Sequence, residues 1–247
     1  MSDENFLDQV PRAGSNHPTT LEFFDQIGLY EKMEPRGLIA PKFHYWDRQG
    51  NELIAEFDHA LLKNDTKFPY VLQCERIKII EEALKMAKAH PLINVRMATT
   101  LETFEQDASG VRARVTNPDG EQEIFAGSFI VSAEGARSIV RKDSGIEFEG
   151  FTYPERFIKT ATSFDFGTVN PNIVFRNYFS DPNEWCNLFK VQGKRAPELW
   201  RAIFPIQPDE DDDAALAPAR IEERLQKFFP KSGRYDVEYV NVYGAHQ

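Results

Sequence analysis

Helical and strand-like periodicities alternate along the chain. Apolar residues recur every three or four positions between Leu21 and Tyr30 and again through 75–89, a spacing typical of amphipathic helices. Pro91 follows the second of these helices closely, as expected of a residue that cannot continue one. A further helix is predicted at 219–229, where the apolar positions again share one stripe.

Strand-like segments fill most of the remaining sequence. In 111–115, for example, apolar residues alternate with arginines, which is the pattern of a half-buried strand. The strands between 42 and 57 form a predicted hairpin, and after Gly150 strands separated by polar turns dominate. The sequence therefore predicts an α+β fold with mostly antiparallel pairing. The predicted strands are 42–47, 52–57, 68–73, 93–97, 101–104, 111–115, 121–126, 128–133, 157–166, 172–179, 187–192, 200–206 and 235–243.

Composition narrows the class of protein. Hydrophobic residues make up 41% and charged residues 28%, which is ordinary for a globular chain. A net charge of −10 disfavours nucleic-acid binding, and no apolar run approaches the roughly 20 residues that span a bilayer. Cys74 and Cys186 show neither a zinc spacing nor a disulfide framework, so we expect reduced thiols, a cytoplasmic location and no metal site. The acidic run 209–213 is predicted to be a solvated loop.

The densest candidate for chemistry lies between Val131 and Arg141. An apolar strand leads into the turn Glu134-Gly135, and a basic helical start follows. An acid at the end of a strand can accept hydrogen bonds from ribose or ribityl hydroxyls, and a glycine allows a cofactor to lie close to the backbone. Arg137 and Arg141 could meet a phosphate or anchor the turn. The alternative is a plain strand-turn-helix with surface arginines.

This segment resembles the second flavin-domain signature of the group A FAD-dependent aromatic-ring monooxygenases, the family of 4-hydroxybenzoate hydroxylase and phenol hydroxylase. The usual form of the signature is Asp-Gly-x-x-Ser-x-x-Arg. Gly135, Ser138 and Arg141 fit it, whereas Glu134 stands where the family has Asp. The longer acid adds one methylene at a tight contact.

Two further stretches carry the resemblance. The segment from Arg12 to Leu21 is similar to the family's Arg-x-x-x-x-His-x-x-Thr-Leu, which implies that Arg12 touches FAD. Tyr70 to Gln73 resembles the segment whose Gln reaches the flavin side of the cofactor. The alternatives are a surface arginine at position 12 and a strand-end glutamine bonded to backbone at position 73.

The resemblance implies two domains. A partial FAD-binding dinucleotide fold, at 1–41 and 68–150, would be joined to a substrate domain at 42–67 and 151–247 with a large mixed or antiparallel sheet. Aromatic side chains of that sheet are expected either to build its core or to wall an apolar pocket. The candidates are Tyr45, Trp46, Phe175 and Phe189.

The function implied by the resemblance is hydroxylation of an aromatic or phenolic small molecule with FAD, NADPH or NADH, and O2. A homodimer is an arrangement that the resemblance leaves open. The cofactor carries the difficult chemistry in such enzymes, so no catalytic side chain is named. No Gly-x-Gly-x-x-Gly follows an early strand, and the family's later Gly-Asp segment is not found. We therefore expect the chain alone to hold FAD weakly and to hydroxylate nothing. A flavin-free binding module derived from the same fold, and another FAD enzyme of related topology, are the alternatives.

Overall fold

The computed structural model describes residues 14–193 and 198–246, so the predicted FAD contact Arg12 lies outside the described residues. The described helices are α1 (Pro18–Gln26), α2 (Tyr30–Met33), α3 (Arg76–Ala89), α4 (Ile139–Asp143), α5 (Asp212–Leu216) and α6 (Pro218–Phe228). The described strands are β1 (Ser15–Asn16), β2 (Leu38–Ala40), β3 (Lys42–Asp47), β4 (Glu52–Asp58), β5 (Val71–Gln73), β6 (Thr100–Asp107), β7 (Gly110–Thr116), β8 (Gln122–Gly127), β9 (Thr152–Thr162), β10 (Arg176–Ser180), β11 (Cys186–Val191), β12 (Leu199–Ile206) and β13 (Val237–His246).

The described strands form three sheets. Their orders are β1-β5-β2, β6-β7-β8, and a seven-stranded sheet β13-β9-β12-β11-β10-β3-β4. All pairs in the large sheet are antiparallel except β10 with β3, which run parallel with Asn177 opposite His44 and Ser180 opposite Asp47. The prediction that the hairpin at 42–57 joins strands beyond 156 is therefore confirmed, as is the mixed α and β fold.

The three sheets take their strands from different parts of the chain. The seven-stranded sheet takes its strands from 42–58 and from 152–246, and the two small sheets take theirs from outside those ranges. By packing, the described residues form two compact units, 83–150 in one and 14–82 with 151–246 in the other. The assignment of a flavin-binding role to 1–41 and 68–150 stays a prediction.

Two predicted strands, 93–97 and 128–133, are wrong. Both segments are irregular in the structure, and no described strand pairs with either. Phe129 and Val131 are 89% and 90% exposed. An apolar sequence can favour extended backbone, but a strand also requires a hydrogen-bonded neighbour.

The main core lies between the seven-stranded sheet and α6. The apolar stripe of α6 predicted from the sequence is buried, with Leu225 and Phe228 facing the sheet. The Phe228 ring meets the Phe179 ring edge-on at 4.9 Å and the Phe204 ring at 5.8 Å. Trp46 also lies in this core. We call the side of the sheet that faces α6 the helix face.

The acidic run 209–213 was predicted to be a solvated loop, and four of its five residues are exposed, but Asp212 and Asp213 already belong to α5. Asp211 caps α5 by accepting from the Ala214 amide at 2.8 Å. Glu210 binds Arg220 at 2.9 Å and also binds the buried guanidinium of Arg224. The run is ordered because two of its carboxylates meet a helix N-terminus and the basic residues of α6.

The helix face should supply much of the stability. Leu225 is fully buried in its core. We expect Leu225→Ala to lower the free energy of unfolding by about 2–5 kcal/mol, because it removes buried methyl groups and leaves a cavity. Leu61, which is 83% exposed, provides the matched control. Leu61→Ala should change stability by less than about 0.5 kcal/mol in the same denaturant titration. Equal losses in the two variants would contradict this placement of the core.

Candidate functional site

The turn at Glu134 is held together by its own carboxylate. That group accepts hydrogen bonds from Ser138 Oγ at 2.7 Å, Ser132 Oγ at 3.0 Å and the Val140 amide at 3.1 Å. The hydroxyl of Ser138 is the main cause that lowers the pKa of Glu134, with the Val140 amide and Ser132 adding to it. Glu134 therefore stabilises the start of α4, and its predicted contact with a ribose or ribityl hydroxyl stays a prediction.

The other residues of this turn that were predicted to bind the cofactor differ from one another in burial and in their contacts. Gly135 has φ +73°, a conformation that glycine adopts without strain. Ser138 is buried and its Oγ accepts from the Arg141 amide at 3.0 Å. The Arg141 guanidinium donates to the Ile146 carbonyl at 2.9 Å and lies over the Phe148 ring at 5.0 Å, so it anchors the turn. Arg137 is exposed.

Gln73 lies in the other unit, on the central strand of the sheet β1-β5-β2. Its Oε1 accepts from Ser15 Oγ at 2.6 Å. Its Nε2 is buried and has no hydrogen-bond partner among the described residues. Burying an amide N–H group without a hydrogen bond costs free energy. This nitrogen is therefore an unpaired donor that could bind an acceptor atom of a ligand.

A buried ion pair joins the end of β5 to the seven-stranded sheet. The carboxylate of Glu75, two residues after Gln73, binds the Arg201 guanidinium on β12. Arg201 Nε donates to the Tyr239 hydroxyl on β13 at 2.7 Å. Burial raises the pKa of Tyr239 to about 12, so this phenol stays protonated near neutral pH. Within the small sheet, the side-chain amide of Asn16 on β1 holds the end of β5 by donating to the Leu72 and Cys74 carbonyls.

The side of the seven-stranded sheet opposite the helix face, which we call the far face, carries aromatic and cationic side chains in register. Arg176 on β10 is paired with Phe189 on β11, and Phe189 is paired with Arg201. Two residues further along β10 on the same face, the Tyr178 ring stacks on the Tyr45 ring with centroids 5.0 Å apart. The Tyr178 ring also meets the Phe189 ring edge-on at 5.4 Å. Aromatic surface beside cations can accept a polar aromatic ligand.

The four aromatic residues predicted to build the core or wall a pocket lie in different places. Tyr45 and Phe189 lie on the far face, and Tyr45 is 38% exposed. Trp46 belongs to the core on the helix face, where its Nε1 donates to Asn177 Oδ1 at 3.2 Å. Phe175 is half-buried just before β10, with Lys190 Nζ 5.1 Å from its ring centroid.

Sequence reasoning missed Arg176. This residue is 5% exposed, and its Nη2 donates to the Tyr178 hydroxyl at 2.8 Å. The guanidinium carbon is 5.4 Å from the Phe43 ring centroid, while Nε and Nη1 are buried without a partner among the described residues. The sequence does contain a signal: Arg176 and Tyr178 are two residues apart on a predicted strand, and such residues lie on the same face of the sheet.

No three His, Cys, Asp or Glu side chains of the described residues are grouped as ligands for a metal ion. Within 14–193 and 198–246, the helices are too short or too polar to cross a bilayer. Cys74 and Cys186 are both buried and free.

The lowered pKa of Glu134 gives a test of the turn. A depressed carboxyl pKa means that its hydrogen bonds are fully present above the ordinary Glu value of about 4.3 and are lost as pH falls through the lower folded value. We therefore expect the Val140 amide proton shift, followed by NMR, to titrate with a midpoint below about 4.3.

Glu134→Gln should abolish this step, whereas Glu147→Gln, at an exposed position after α4, should leave it in place. A midpoint at or above the ordinary value, or an unchanged step in Glu134→Gln, would show that this carboxylate does not hold the turn.

Comparison with known proteins identifies the family to which this chain belongs. The FAD binding domain family matches residues 4–246. Para-nitrophenol 4-monooxygenase from Pseudomonas sp. (strain WBC-3) is 29% identical over 245 residues, which cover 96% of this chain and 57% of that enzyme. A 3-(3-hydroxy-phenyl)propionate/3-hydroxycinnamic acid hydroxylase from Mycolicibacterium smegmatis is 25% identical over 250 residues, covering 100% of this chain and 42% of the relative.

Solved structures of monooxygenases and hydroxylases have a fold similar to that of this chain. The crystal structure of p-nitrophenol 4-monooxygenase PnpA from Pseudomonas putida DLL-E4 aligns with a TM-score of 0.82 at 29% identity, over 99% of this chain and 60% of that one. A ternary complex of aklavinone-11 hydroxylase with FAD and aklavinone has the same fold, with a TM-score of 0.73 at 17% identity, covering 99% of this chain and 48% of that one. The chain thus spans about half the length of these relatives. It belongs to the FAD binding domain family, and the relatives it matches include monooxygenases and hydroxylases of aromatic compounds.

Proposed function

We propose that the protein carrying this chain hydroxylates an aromatic or phenolic small molecule, using FAD, NADPH or NADH, and O2. The observation that carries the proposal lies within one compact unit. A vacant amide donor at Gln73 and an aromatic, cationic sheet face are joined there by the Glu75–Arg201 ion pair. Relatives named for p-nitrophenol and for 3-(3-hydroxy-phenyl)propionate support a hydroxylated aromatic ring as the substrate class.

The residues present fit FAD. The orphaned Nε2 of Gln73 is a donor suited to a flavin carbonyl or a ribityl oxygen, and Ser15 fixes the orientation of its amide. The turn at Glu134 and Gly135, with Arg137, Ser138 and Arg141, is the second proposed contact. When bound, FAD supplies the redox chemistry that activates O2 for transfer to the ring.

The side chains of this chain bind and orient the substrate. Tyr45, Tyr178 and Phe189 offer ring surface against which an aromatic substrate can stack or pack edge-on. The buried pair of Glu75 and Arg201 keeps the end of β5 at a fixed position relative to that surface, because breaking a buried ion pair is strongly destabilising.

The domain roles and the location are part of the same proposal. We assign cofactor binding to 1–41 and 68–150, and substrate binding to 42–67 and 151–247, a division supported by the strand membership of the three sheets. A cytoplasmic location fits the two free, buried cysteines.

The natural polypeptide that contains residues 1–247 provides the test. We expect it to purify with bound FAD, to oxidise NADH or NADPH faster when a phenol is present, and to yield a product that is one oxygen atom heavier by mass spectrometry. A protein that holds no flavin and still binds phenols would instead be a binding module, and the proposed function would be wrong.

Gln73→Leu sharpens this test. The change removes the vacant amide at nearly constant size, so the dissociation constant for FAD should rise about 3- to 10-fold, the usual worth of one hydrogen bond. Gln106→Leu, at an exposed position on β6, is the matched control and should leave the affinity unchanged. Fluorescence titration of FAD measures both, and equal affinities for the wild type and Gln73→Leu would remove Gln73 from the cofactor site.

A further inference from the structure

A second group of aromatic side chains lies on the far face, toward the β13 edge of the sheet. The ring centroid of Phe157 on β9 is 5.3 Å from that of Tyr243 on β13. It is 5.6 Å from the ring centroid of Trp185, which directly precedes β11. Tyr243 is 38% exposed, and Phe157 and Trp185 are half-buried, so all three rings keep surface that a ligand can contact. We call these three residues the distal aromatic cluster.

Strand alternation places the distal aromatic cluster on the far face. On β9, Phe157 is followed by Ile158, which belongs to the core on the helix face. On β13, Val240 and Val242 pack against the same core, so Tyr243 points to the opposite side of the sheet. The cluster therefore shares its face with the aromatic side chains of β3, β10 and β11.

The register of the strands connects this cluster with the aromatic surface at Tyr45. Tyr178, whose ring stacks on that of Tyr45, is paired with Asn187 on β11. Trp185 precedes Asn187 by two residues and is therefore a diagonal neighbour of Tyr178, at a distance of about 7–8 Å. A ligand ring on Tyr178 thus leaves room for a second, linked ring to reach Trp185.

Asn241 adds a polar group beside the cluster. It lies two residues before Tyr243 on the same face of β13 and is paired with Lys159 on β9. Its Oδ1 is buried and has no hydrogen-bond partner among the described residues, so this oxygen is suited to a donor on a ligand. The ammonium of Lys159 lies 5.6 Å from the Tyr243 ring centroid and would repel a cationic donor. The matching donor is therefore neutral, such as a hydroxyl.

We propose that the distal aromatic cluster binds a second aromatic ring of the substrate, so that the enzyme prefers phenols with two linked rings over phenols with one. The inference rests on the proposed function and adds the substrate's size and its second ring to it. The ring to be hydroxylated lies against Tyr178 and Tyr45. The second ring lies against Trp185 and Phe157, where a neutral hydroxyl on it can donate to Asn241. Contacts between aromatic rings stabilise such a complex beyond the apolar area that they bury.

The test compares phenol with two-ring phenols of graded length: 4-phenylphenol, 4-benzylphenol and 4-(2-phenylethyl)phenol. Dissociation constants are measured on the FAD-loaded natural polypeptide from the change in flavin absorbance. For the two-ring phenol that binds best, we expect the wild type to bind it about 10- to 100-fold more tightly than phenol, because a whole second ring is buried. 4-Cyclohexylphenol, whose second ring is not aromatic, should bind about 2- to 10-fold more weakly than 4-phenylphenol.

Trp185→Leu and Phe157→Leu should each reduce the advantage of the two-ring phenol by about 3- to 10-fold while leaving the affinity for phenol nearly unchanged. Tyr243→Leu, at the most exposed position of the cluster, serves the same purpose if those variants do not fold. Tyr45→Leu should instead weaken the binding of both ligands, because it removes a contact of the ring to be hydroxylated. Phe23→Leu is the matched control, since Phe23 is 57% exposed on α1, and it should change neither affinity.

The outcomes separate the two proposals. Equal binding of phenol and the two-ring phenols by the wild type would overturn the role of the distal aromatic cluster even if phenols are hydroxylated. So would equal binding of 4-cyclohexylphenol and 4-phenylphenol, or a two-ring advantage that survives in all three variants of the cluster. A wild-type protein that binds none of these ligands and hydroxylates no ring would instead count against the proposed function.

Discussion

The parallel ladder between β3 and β10 is the constraint on which the rest of the site depends. It pairs residues more than 130 positions apart, with Tyr178 beside Tyr45 and Phe179 beside Trp46. Closing so long a loop costs conformational entropy that only extensive pairing and burial can offset. The same ladder serves both faces of the sheet, because successive residues point to opposite sides. Neither the aromatic pairs nor the core would form if these two strands were to separate.

The two faces of the large sheet have opposite chemistry. The helix face is closed by α6 and buries apolar rings such as Phe204 and Phe228, together with the paired cation Arg224. On the far face, Arg201 is paired with a carboxylate, whereas Arg176 has unused donors. Buried cations are usually satisfied in a structure whose only task is to be stable. Arg224 on the helix face also has an unpartnered Nε, but its other guanidinium nitrogens bind carboxylates, whereas no ion pair of Arg176 is found among the described residues.

The sequence was a good guide to elements with a strong period, and it did not reveal which apolar segments lack a neighbouring strand. The helix stripe of α6 and the hairpin at 42–57 were predicted correctly, because local spacing determines both. The segment 128–133 has strand-like composition without a described strand beside it, and no local signal reveals a missing neighbour. Glu134 was identified as important, but its hydrogen bonds run within the turn. Arg176 went unnoticed because its significance lies in donors left unpaired, which only coordinates can show.

The most direct test of the account is a crystal structure of the FAD-loaded natural polypeptide with a bound hydroxylated aromatic ligand. The account predicts the ligand ring on the far face, in contact with Tyr45, Tyr178 or Phe189, and the amide of Gln73 hydrogen-bonded to the cofactor. A ligand ring bound away from that face, with the Gln73 amide still unpaired beside bound FAD, would contradict the central claim that this sheet and this strand end form one cofactor and substrate site.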